Sequence, residues 1–221
     1  NFENRVGCGC QCRTDTGLTT FGRDAVARLN ELGILIDLSH CGVRTASEAV
    51  ALSSMPVAVT HANSTTTFDH PRNKPPQLLR AVASRGGVVG AVAFPPLLRK
   101  ELPSDGIAVD EYVRAIDTLV EELGVAHVGV GPDFMQYMPD EVAATVLQGL
   151  PPEARAAMES MPPLSGFSAA SEFPNLTDSL LRRGYGDAAI AAIMGENWLR
   201  LYETVWSVGS SPQFLDSSAQ Q

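Results

Sequence analysis

The stretch LIDLSHCG, residues 35–42, begins as an apolar run and then stops at Ser39, His40 and Cys41. A short apolar run bounded by polar and turn residues is typical of a buried β-strand. In α/β barrels the active site lies at the carboxyl ends of the strands, where side chains face the mouth. The stretch therefore predicts a buried strand that holds the His40 imidazole where a metal or a substrate can bind.

Helical and strand patterns alternate along the rest of the chain. Periodicity predicts helices over 21–33, 43–54, 76–87, 109–124, 175–184 and 187–206, and strands over 34–39, 57–61, 88–94 and 127–134. Strands separated by single helices indicate βαβ units and a parallel sheet. Four apolar strands fit half of a (β/α)8 barrel or a small doubly wound sheet. No G-x-G-x-x-G follows a strand, which disfavours dinucleotide binding.

Length and composition predict one folded domain or a piece of a larger one. The 221 residues are 44% hydrophobic, which is enough apolar surface for a core. The net charge of −9 argues against a nucleic-acid partner and against binding to an anionic membrane surface. The chain has no apolar run of about 18 residues, so we expect no membrane span. The last residues, 208–221, form a polar tail.

Four cysteines, Cys8, Cys10, Cys12 and Cys41, raise the question of metal or redox chemistry. The C-x-C-x-C spacing lacks the C-x2-C pairs of structural zinc sites. We interpret these residues as reduced thiols in a loop, with metal binding and redox activity as the alternatives. Their even number and the lack of a secretory signal at the start favour a cytoplasmic location.

Three predicted strands end on residues suited to catalysis. His40 ends the first strand, His61 ends the second and Asp133 follows the fourth. Two imidazoles on successive strand ends lie near each other if the strands are neighbours, and neutral imidazole is the commonest metal ligand. A histidine at a strand end is more often a hydrogen-bonded loop residue, and both interpretations stay open on this evidence.

The remaining polar residues near the strand ends have separate interpretations. Arg72, in the loop after the second strand, is a candidate clamp for a substrate carboxylate, with a surface ion pair as the alternative. Asp37 is expected to orient the candidate metal ligands His40 and His61 without binding the metal itself. His127 precedes the strand residues VGVG and so lies at the end of the barrel opposite the expected active site, where we predict a structural role for it. His70 is expected to be a hydrogen-bonded loop residue.

These motifs together resemble the membrane (renal) dipeptidase family of zinc peptidases, in its bacterial branch. The resemblance extends over almost the whole chain, in the family's order. The matching pieces are GLTTFGRDAVARLNELGILIDLSHCGVRTASEAV (17–50), PVAVTHANS (56–64), HPRNKP (70–75), GGVVGAVAF (86–94), VGVGPDF (128–134) and LLRRGYGDAAIAAIMGENWLRLYETVW (180–206).

The resemblance implies a (β/α)8 barrel of the metal-dependent hydrolase type with two zinc ions. It implies that His40 and His61 ligate one zinc and that Arg72 binds the substrate carboxylate. It further implies that Asp133 contacts the amino end of the substrate or moves a proton. The resulting expectation is hydrolysis of dipeptides by a metal-activated hydroxide.

The chain departs from the family pattern in its extent. The family's His-x-Asp pair on the first strand, a later bridging Glu and a further substrate-binding side chain have no counterpart here. We therefore expect residues 1–207 to form the C-terminal part, about four strands, of a single barrel domain. The expected partners are a dipeptide or similar small substrate and the N-terminal half of the barrel, and a homo-oligomer is left open. The alternative functions are a non-catalytic half-barrel subunit and an amidohydrolase that acts on another small amide or a lactone.

Overall fold

The structure is a computed structural model that describes residues 1–134, 139–148, 152, 155–156, 161–162 and 164–207. The helices are α1 Thr20–Glu31, α2 Val43–Leu52, α3 Pro76–Ser84, α4 Val109–Leu123, α5 Asp140–Gln148, α6 Phe173–Arg183, α7 Asp187–Ala191 and α8 Asn197–Trp206. The strands are β1 Ala58–Val59, β2 Val88–Ala91, β3 Ile107–Ala108, β4 Val128–Val130 and β5 Leu164–Ser165. The predicted polar tail, 208–221, lies outside the described residues.

Local sequence signals set the ends of several helices. The Thr19 hydroxyl accepts a hydrogen bond from the Gly22 amide at 3.0 Å and so caps the start of α1. Gly184, with φ of 98°, adopts the left-handed conformation that ends α6, which glycine reaches without steric cost. The single helix predicted over 187–206 is divided, because a π-helical turn at Ala192–Glu196 separates α7 from α8.

The main sheet is parallel and has the strand order β1-β2-β4. Val59 is paired with Val89, and Val89 in turn with Val128. The predicted strand 34–39 contributes a single parallel bridge, in which Asp37 pairs with Ala58 at the β1 edge. Among the described residues, the strands of this sheet therefore lie in the order in which they occur in the sequence, without the reversal of order that a doubly wound sheet requires.

A second, two-stranded sheet was not predicted from the sequence. Strand β3 pairs in parallel with β5, which lies in a region where the sequence shows no regular pattern. Each of these strands has two residues, too few for an alternating pattern to be visible. The pairing therefore becomes visible only when the chain is folded.

Both faces of the main sheet are covered, as its nearly continuous apolar strands predict. Val59 and Val89 belong to the larger core, which includes buried residues of α1 to α4 and α6. Ala58 and Val88, on the alternate positions, belong to a smaller cluster with Leu201 of α8. None of the helices in the described part of the chain is long and apolar enough to cross a lipid bilayer.

Glycines allow the strand ends to approach one another closely. A Cβ atom at Gly90 would lie 2.1 Å from the Thr60 carbonyl oxygen, and one at Gly131 would lie 1.8 Å from the same oxygen. Thr60 directly precedes His61. The two glycines therefore help to determine where the His61 side chain lies relative to β2 and β4.

We expect Gly90→Ala to lower the free energy of unfolding by about 1–3 kcal/mol, because the added methyl group overlaps main-chain atoms that cannot rotate away. Gly186→Ala is the matched control, since Gly186 has φ of −79° and a Cβ there meets no described heavy atom within 4 Å. Urea unfolding of both variants measures the difference. Equal effects of the two substitutions would contradict the close packing inferred at Gly90.

Candidate active site

The structure brings His40 and His61 together at adjacent strand ends. His40 follows the segment that pairs with β1, and His61 lies two residues beyond the end of β1. The Nε2 atoms of the two rings are 2.9 Å apart, and the ring centroids are 4.9 Å apart. The neighbouring strands predicted from the sequence therefore place two imidazole nitrogens at one point.

The other nitrogen of each ring is held by a hydrogen bond. The Thr60 hydroxyl donates to Asp37 Oδ2 at 2.8 Å and lies 2.8 Å from His61 Nδ1, so its oxygen accepts the His61 Nδ1–H. His40 Nδ1 lies 2.5 Å from the amide oxygen of Asn1 and donates to it. Both Nε2 atoms therefore carry lone pairs when the rings are neutral, and these lone pairs face each other.

The protein environment keeps both rings neutral near pH 7. Loss of solvent around the ring, followed by repulsion from Arg72 and His61, lowers the pKa of His40 to about 4. Loss of solvent also lowers the pKa of His61, although the nearby Asp133 carboxylate opposes this effect. Neutral imidazole is the form that binds metals, so the environment favours ligation over protonation.

Asp37 connects the two strand ends behind the histidines. Its carboxylate accepts hydrogen bonds from the Ser39 amide (3.0 Å) and hydroxyl (2.6 Å) and from the Thr60 amide (2.9 Å), besides the Thr60 hydroxyl. Partial burial raises the pKa of Asp37, but the bonds from Ser39 and Thr60 outweigh it, and the pKa lies below its usual value. The supporting role predicted for Asp37 therefore has a specific route, through Thr60 to His61.

Arg72 lies beneath the same two strand ends. Arg72 is only 7% exposed. Its guanidinium donates through Nη1 to the Ser39 carbonyl and through Nη2 to the His61 carbonyl at 3.0 Å. These bonds use two of the five N–H donors of the side chain, so three remain. The position is next to both histidines, while the predicted binding of a substrate carboxylate stays a prediction.

Lys74 is a buried cation that the sequence does not reveal. It is fully buried, and its Nζ donates to the carbonyl of Cys41, the residue after His40. Burial lowers the pKa of Lys74 to about 8. Lysines are rarely buried, and nothing in the pattern around residue 74 distinguishes it from an exposed loop lysine.

Asp133 has an unusual backbone conformation at the end of β4. Its φ of 61° is the only positive value among the described non-glycine residues, and aspartate tolerates this left-handed region better than most residues. Its exposed carboxylate is near enough to influence the pKa of both His61 and Arg72. It also borders a mainly apolar cavity of about 160 Å³, which is lined by Ala93, Phe94, Pro95, Pro132, Phe134, Met161, Pro162, Leu164, Phe167 and Ser168.

The two remaining histidines have local contacts. His127, at the start of β4, has its Nδ1 atom 2.9 Å from the Gly87 carbonyl, so it joins the amino ends of two strands. His70 Nδ1 accepts the Arg72 amide at 3.1 Å and shapes the loop that carries the guanidinium. Both contacts agree with the structural roles predicted for these residues.

A model of the membrane dipeptidase family (peptidase family M19) matches residues 5–145 and 159–213, which is most of the chain. The chain belongs to this family. Its α/β fold, with the parallel strands described above, is similar to that of a solved dipeptidase of family M19. Family membership also accounts for the order of the motifs along the sequence.

Three similar proteins illustrate the relationship. The dipeptidase verJ of Clonostachys rogersoniana is 30% identical over 192 residues, which are 87% of this chain and 42% of that protein. An amidohydrolase structure from Pseudomonas aeruginosa has 35% identity and a TM-score of 0.79, and the match covers 94% of this M19 chain and 63% of that one. A metallo peptidase from Rhodobacter sphaeroides, solved with a phosphinate mimic of L-Ala-D-Ala, has 26% identity, a TM-score of 0.71 and coverage of 87% and 48%. The chain therefore spans less than half the length of the Clonostachys dipeptidase.

The two facing imidazoles are the side chains at this site that could hold a metal ion. Two imidazole nitrogens that face one point suit zinc, in which two ligand nitrogens of a tetrahedral site lie about 3.3 Å apart. Within the ranges that the structure describes, no group of three or more His, Cys, Asp or Glu side chains could hold a metal. The metal ligation predicted for His40 and His61 stays a prediction.

The lowered pKa of His40 predicts a pH-dependent stability. Between pH 6.5, its ordinary pKa, and about pH 4, the unfolded chain binds a proton at His40 more readily than the folded chain does. The free energy of unfolding, measured with a metal chelator present, should therefore fall as the pH is lowered through this range. His40→Gln should show a shallower fall than the wild-type chain, since the carboxylates titrate equally in both. An unchanged slope in the variant would contradict the proposed environment of His40.

Proposed function

We propose that this chain is the C-terminal part of a metal-dependent dipeptidase. In this proposal residues 1–207 form about four strands of one (β/α)8 barrel, followed by the tail 208–221. The observation that carries the proposal is the pair of neutral imidazoles whose Nε2 lone pairs face each other 2.9 Å apart. Such an arrangement is repulsive by itself and becomes favourable when a cation lies between the two nitrogens.

The strand order supports a barrel rather than a doubly wound sheet. The Asp37 segment, β1, β2 and β4 lie in the sheet in the same order as in the sequence, as strands of a barrel do, and the short β3 between β2 and β4 belongs to the second sheet. The edges beside the Asp37 segment and β4 are then the positions where the N-terminal half of the barrel joins. This chain covers 42% of one relative and 63% of another, as expected for a chain that holds about half of the barrel.

We propose zinc as the metal, with His40 and His61 as ligands and two ions in the complete site. Thr60 and Asn1 orient the rings through their Nδ1 atoms, and Asp37 supports Thr60. When bound, the metal supplies the Lewis acidity that activates water for attack on an amide carbonyl. The remaining ligands are those of the family's N-terminal half.

We propose that Arg72 and Asp133 bind the two ends of a dipeptide. The three free N–H donors of Arg72 suit the fork of a terminal carboxylate. The Asp133 carboxylate suits either the terminal ammonium group or the transfer of a proton to the leaving amine. The apolar cavity beside Asp133 has room for a small side chain of the substrate. The Rhodobacter metallo peptidase was solved with a phosphinate mimic of the dipeptide L-Ala-D-Ala, which supports a dipeptide as the substrate class.

The isolated chain should bind zinc weakly, because it supplies only two ligands. Thr60→Val removes the hydroxyl that orients His61 and should weaken the binding further by about 10- to 100-fold. Thr204→Val, on the exposed surface of α8, makes the same substitution away from the site and should have no effect. Zinc titration against a competing chelator measures the affinities. Two tightly held zinc ions per isolated chain, found by metal analysis, would contradict this division of ligands.

The role of Arg72 is tested in the assembled barrel, with the N-terminal half supplied by co-expression. Hydrolysis of a free dipeptide should require zinc, and Arg72→Ala should lower kcat/KM by about 10- to 150-fold, the equivalent of 1.5–3 kcal/mol for a hydrogen bond to a charged group. Arg72→Lys should recover part of this loss, because an ammonium group keeps the charge without the fork.

A C-terminally amidated dipeptide is the control, since it offers no carboxylate to Arg72. Exposed Arg80 on α3 gives the matched variant Arg80→Ala, which should act on both substrates as the wild type does. If Arg72→Ala lowers kcat/KM equally for the free and the amidated dipeptide, Arg72 only donates hydrogen bonds to the Ser39 and His61 carbonyls and does not bind the substrate carboxylate. If the assembled wild-type protein hydrolyses neither dipeptide in the presence of zinc, the dipeptidase proposal is wrong.

A further inference from the structure

Two buried asparagines lie at the base of the loop that carries Arg72. Asn63 follows the end of β1, and Asn73 is the residue next to Arg72. Asn63 is fully buried and Asn73 is 2% exposed. The Asn63 amide donates to the Asn73 side-chain oxygen at 3.2 Å, and the Lys74 amide donates to the Asn63 carbonyl at 2.9 Å. The start and the end of the loop are therefore joined.

The Asn73 side chain also joins this loop to the loop after β2. Its Nδ2 group donates to the Phe68 carbonyl, in its own loop, at 2.8 Å and to the Leu97 carbonyl, in the other loop, at 2.9 Å. Both N–H donors and the side-chain oxygen of Asn73 therefore have main-chain partners. Aspartate has the same shape but no donors, and an apolar side chain has neither donors nor acceptors, so only the carboxamide makes all three contacts.

Asn63 contacts the loop after β2 in the same way. Its side-chain oxygen accepts the Val92 amide at 3.1 Å, and its Nδ2 group donates to the Val92 carbonyl at 3.2 Å. Val92 directly follows β2 and leads into Phe94, which borders the apolar cavity beside Asp133. The two asparagines therefore join the Arg72 loop and one wall of that cavity into a single hydrogen-bonded unit.

We propose that Asn73 is a positioning residue for Arg72, an inference that rests on the proposed binding of a substrate carboxylate by Arg72. The guanidinium is held at one end of the side chain by the Ser39 and His61 carbonyls. Asn73 holds the main chain at the other end, from the adjacent position in the sequence. Because a misplacement of about 1 Å can cost about 100-fold in rate, loosening the loop should weaken the binding of a carboxylate by the three free donors of Arg72.

Asn197 provides a matched control at the opposite ends of the strands. It is 5% exposed, and its Nδ2 group donates to the Val125 and Val128 carbonyls at 2.8 Å each. This buried carboxamide also has two main-chain acceptors, but they lie at the amino end of β4 instead of the carboxyl end. Asn73→Ala and Asn197→Ala should therefore both lower the free energy of unfolding, whereas only Asn73→Ala should change substrate binding.

The test uses the assembled barrel with zinc and the same free and amidated dipeptides. Asn73→Ala should raise KM for the free dipeptide by about tenfold and leave kcat within about twofold of the wild type. Hydrolysis of the amidated dipeptide should be unchanged, because it has no carboxylate for Arg72 to bind. In an Arg72→Ala background, Asn73→Ala should add no further loss, since a positioning residue acts only through the group that it positions. Asn197→Ala should leave KM for both substrates unchanged.

A measurement on the wild-type barrel covers the case in which Asn73→Ala does not fold. The Asn63 and Val92 amides donate to the side-chain oxygens of Asn73 and Asn63. If the two asparagines hold the loops together, both amides should exchange hydrogen at least about 100-fold more slowly than unprotected amides do. Exchange of either amide at the unprotected rate overturns the proposal.

Failure of this proposal can be distinguished from failure of the proposed function. The role of Asn73 is wrong, and the dipeptidase proposal stands, if Arg72→Ala loses activity only on the free dipeptide while Asn73→Ala has no effect. It is also wrong if Asn73→Ala affects both dipeptides equally, if its effect persists in the Arg72→Ala background, or if Asn197→Ala raises KM as much. Hydrolysis of neither dipeptide by the wild-type barrel overturns both proposals.

Discussion

The Asp37 carboxylate is the interaction on which the site depends. It lies where two strands end and accepts four hydrogen bonds, two from Ser39 and two from Thr60. Because only one β-bridge joins the Asp37 segment to β1, the ladder alone holds this edge weakly. The carboxylate supplies the missing connection and, through the Thr60 hydroxyl, also determines which nitrogen of His61 carries the proton.

Two buried cations complete the support of the strand ends. Arg72 donates to the carbonyls of Ser39 and His61, and Lys74 donates to that of Cys41. Burying a cation is costly unless it is hydrogen-bonded or paired, and here the main-chain carbonyls and the nearby Asp37 charge offset the cost. The Arg72 charge also lowers the pKa of both histidines, so the group that fixes the backbone also keeps the rings neutral.

The candidate site lies at the ends of the described strands. The relatives described above are longer than this chain. The histidines, Arg72 and Asp133 converge from the ends of three strand segments, which is the arrangement of polar groups expected at the mouth of a barrel. Glycines at positions 90 and 131 let the main chain around Thr60 lie close to β2 and β4, so the strand end that carries His61 is closely packed. Such packing holds the main chain next to His61 in a defined position.

The sequence by itself determined the alternation of strands and helices, the helix ends at Thr19 and Gly184, and the two histidines at strand ends. These features follow from local periodicity and from residue types with strong conformational preferences, which act over a few neighbouring positions. Position along the chain also singled out Arg72 and Asp133 as candidates, and the family motifs made the roles predicted for them more specific.

Only the tertiary structure decided how these residues act on one another. The β3–β5 pair joins short segments far apart in the chain, and the predicted strand 34–39 is reduced to one bridge, because strand pairing depends on partners distant in sequence. The proton positions on the histidines and the burial of Lys74 also depend on such partners. Burial and hydrogen bonding set pKa values and reactivity, and both are properties of the folded neighbourhood rather than of the residue type.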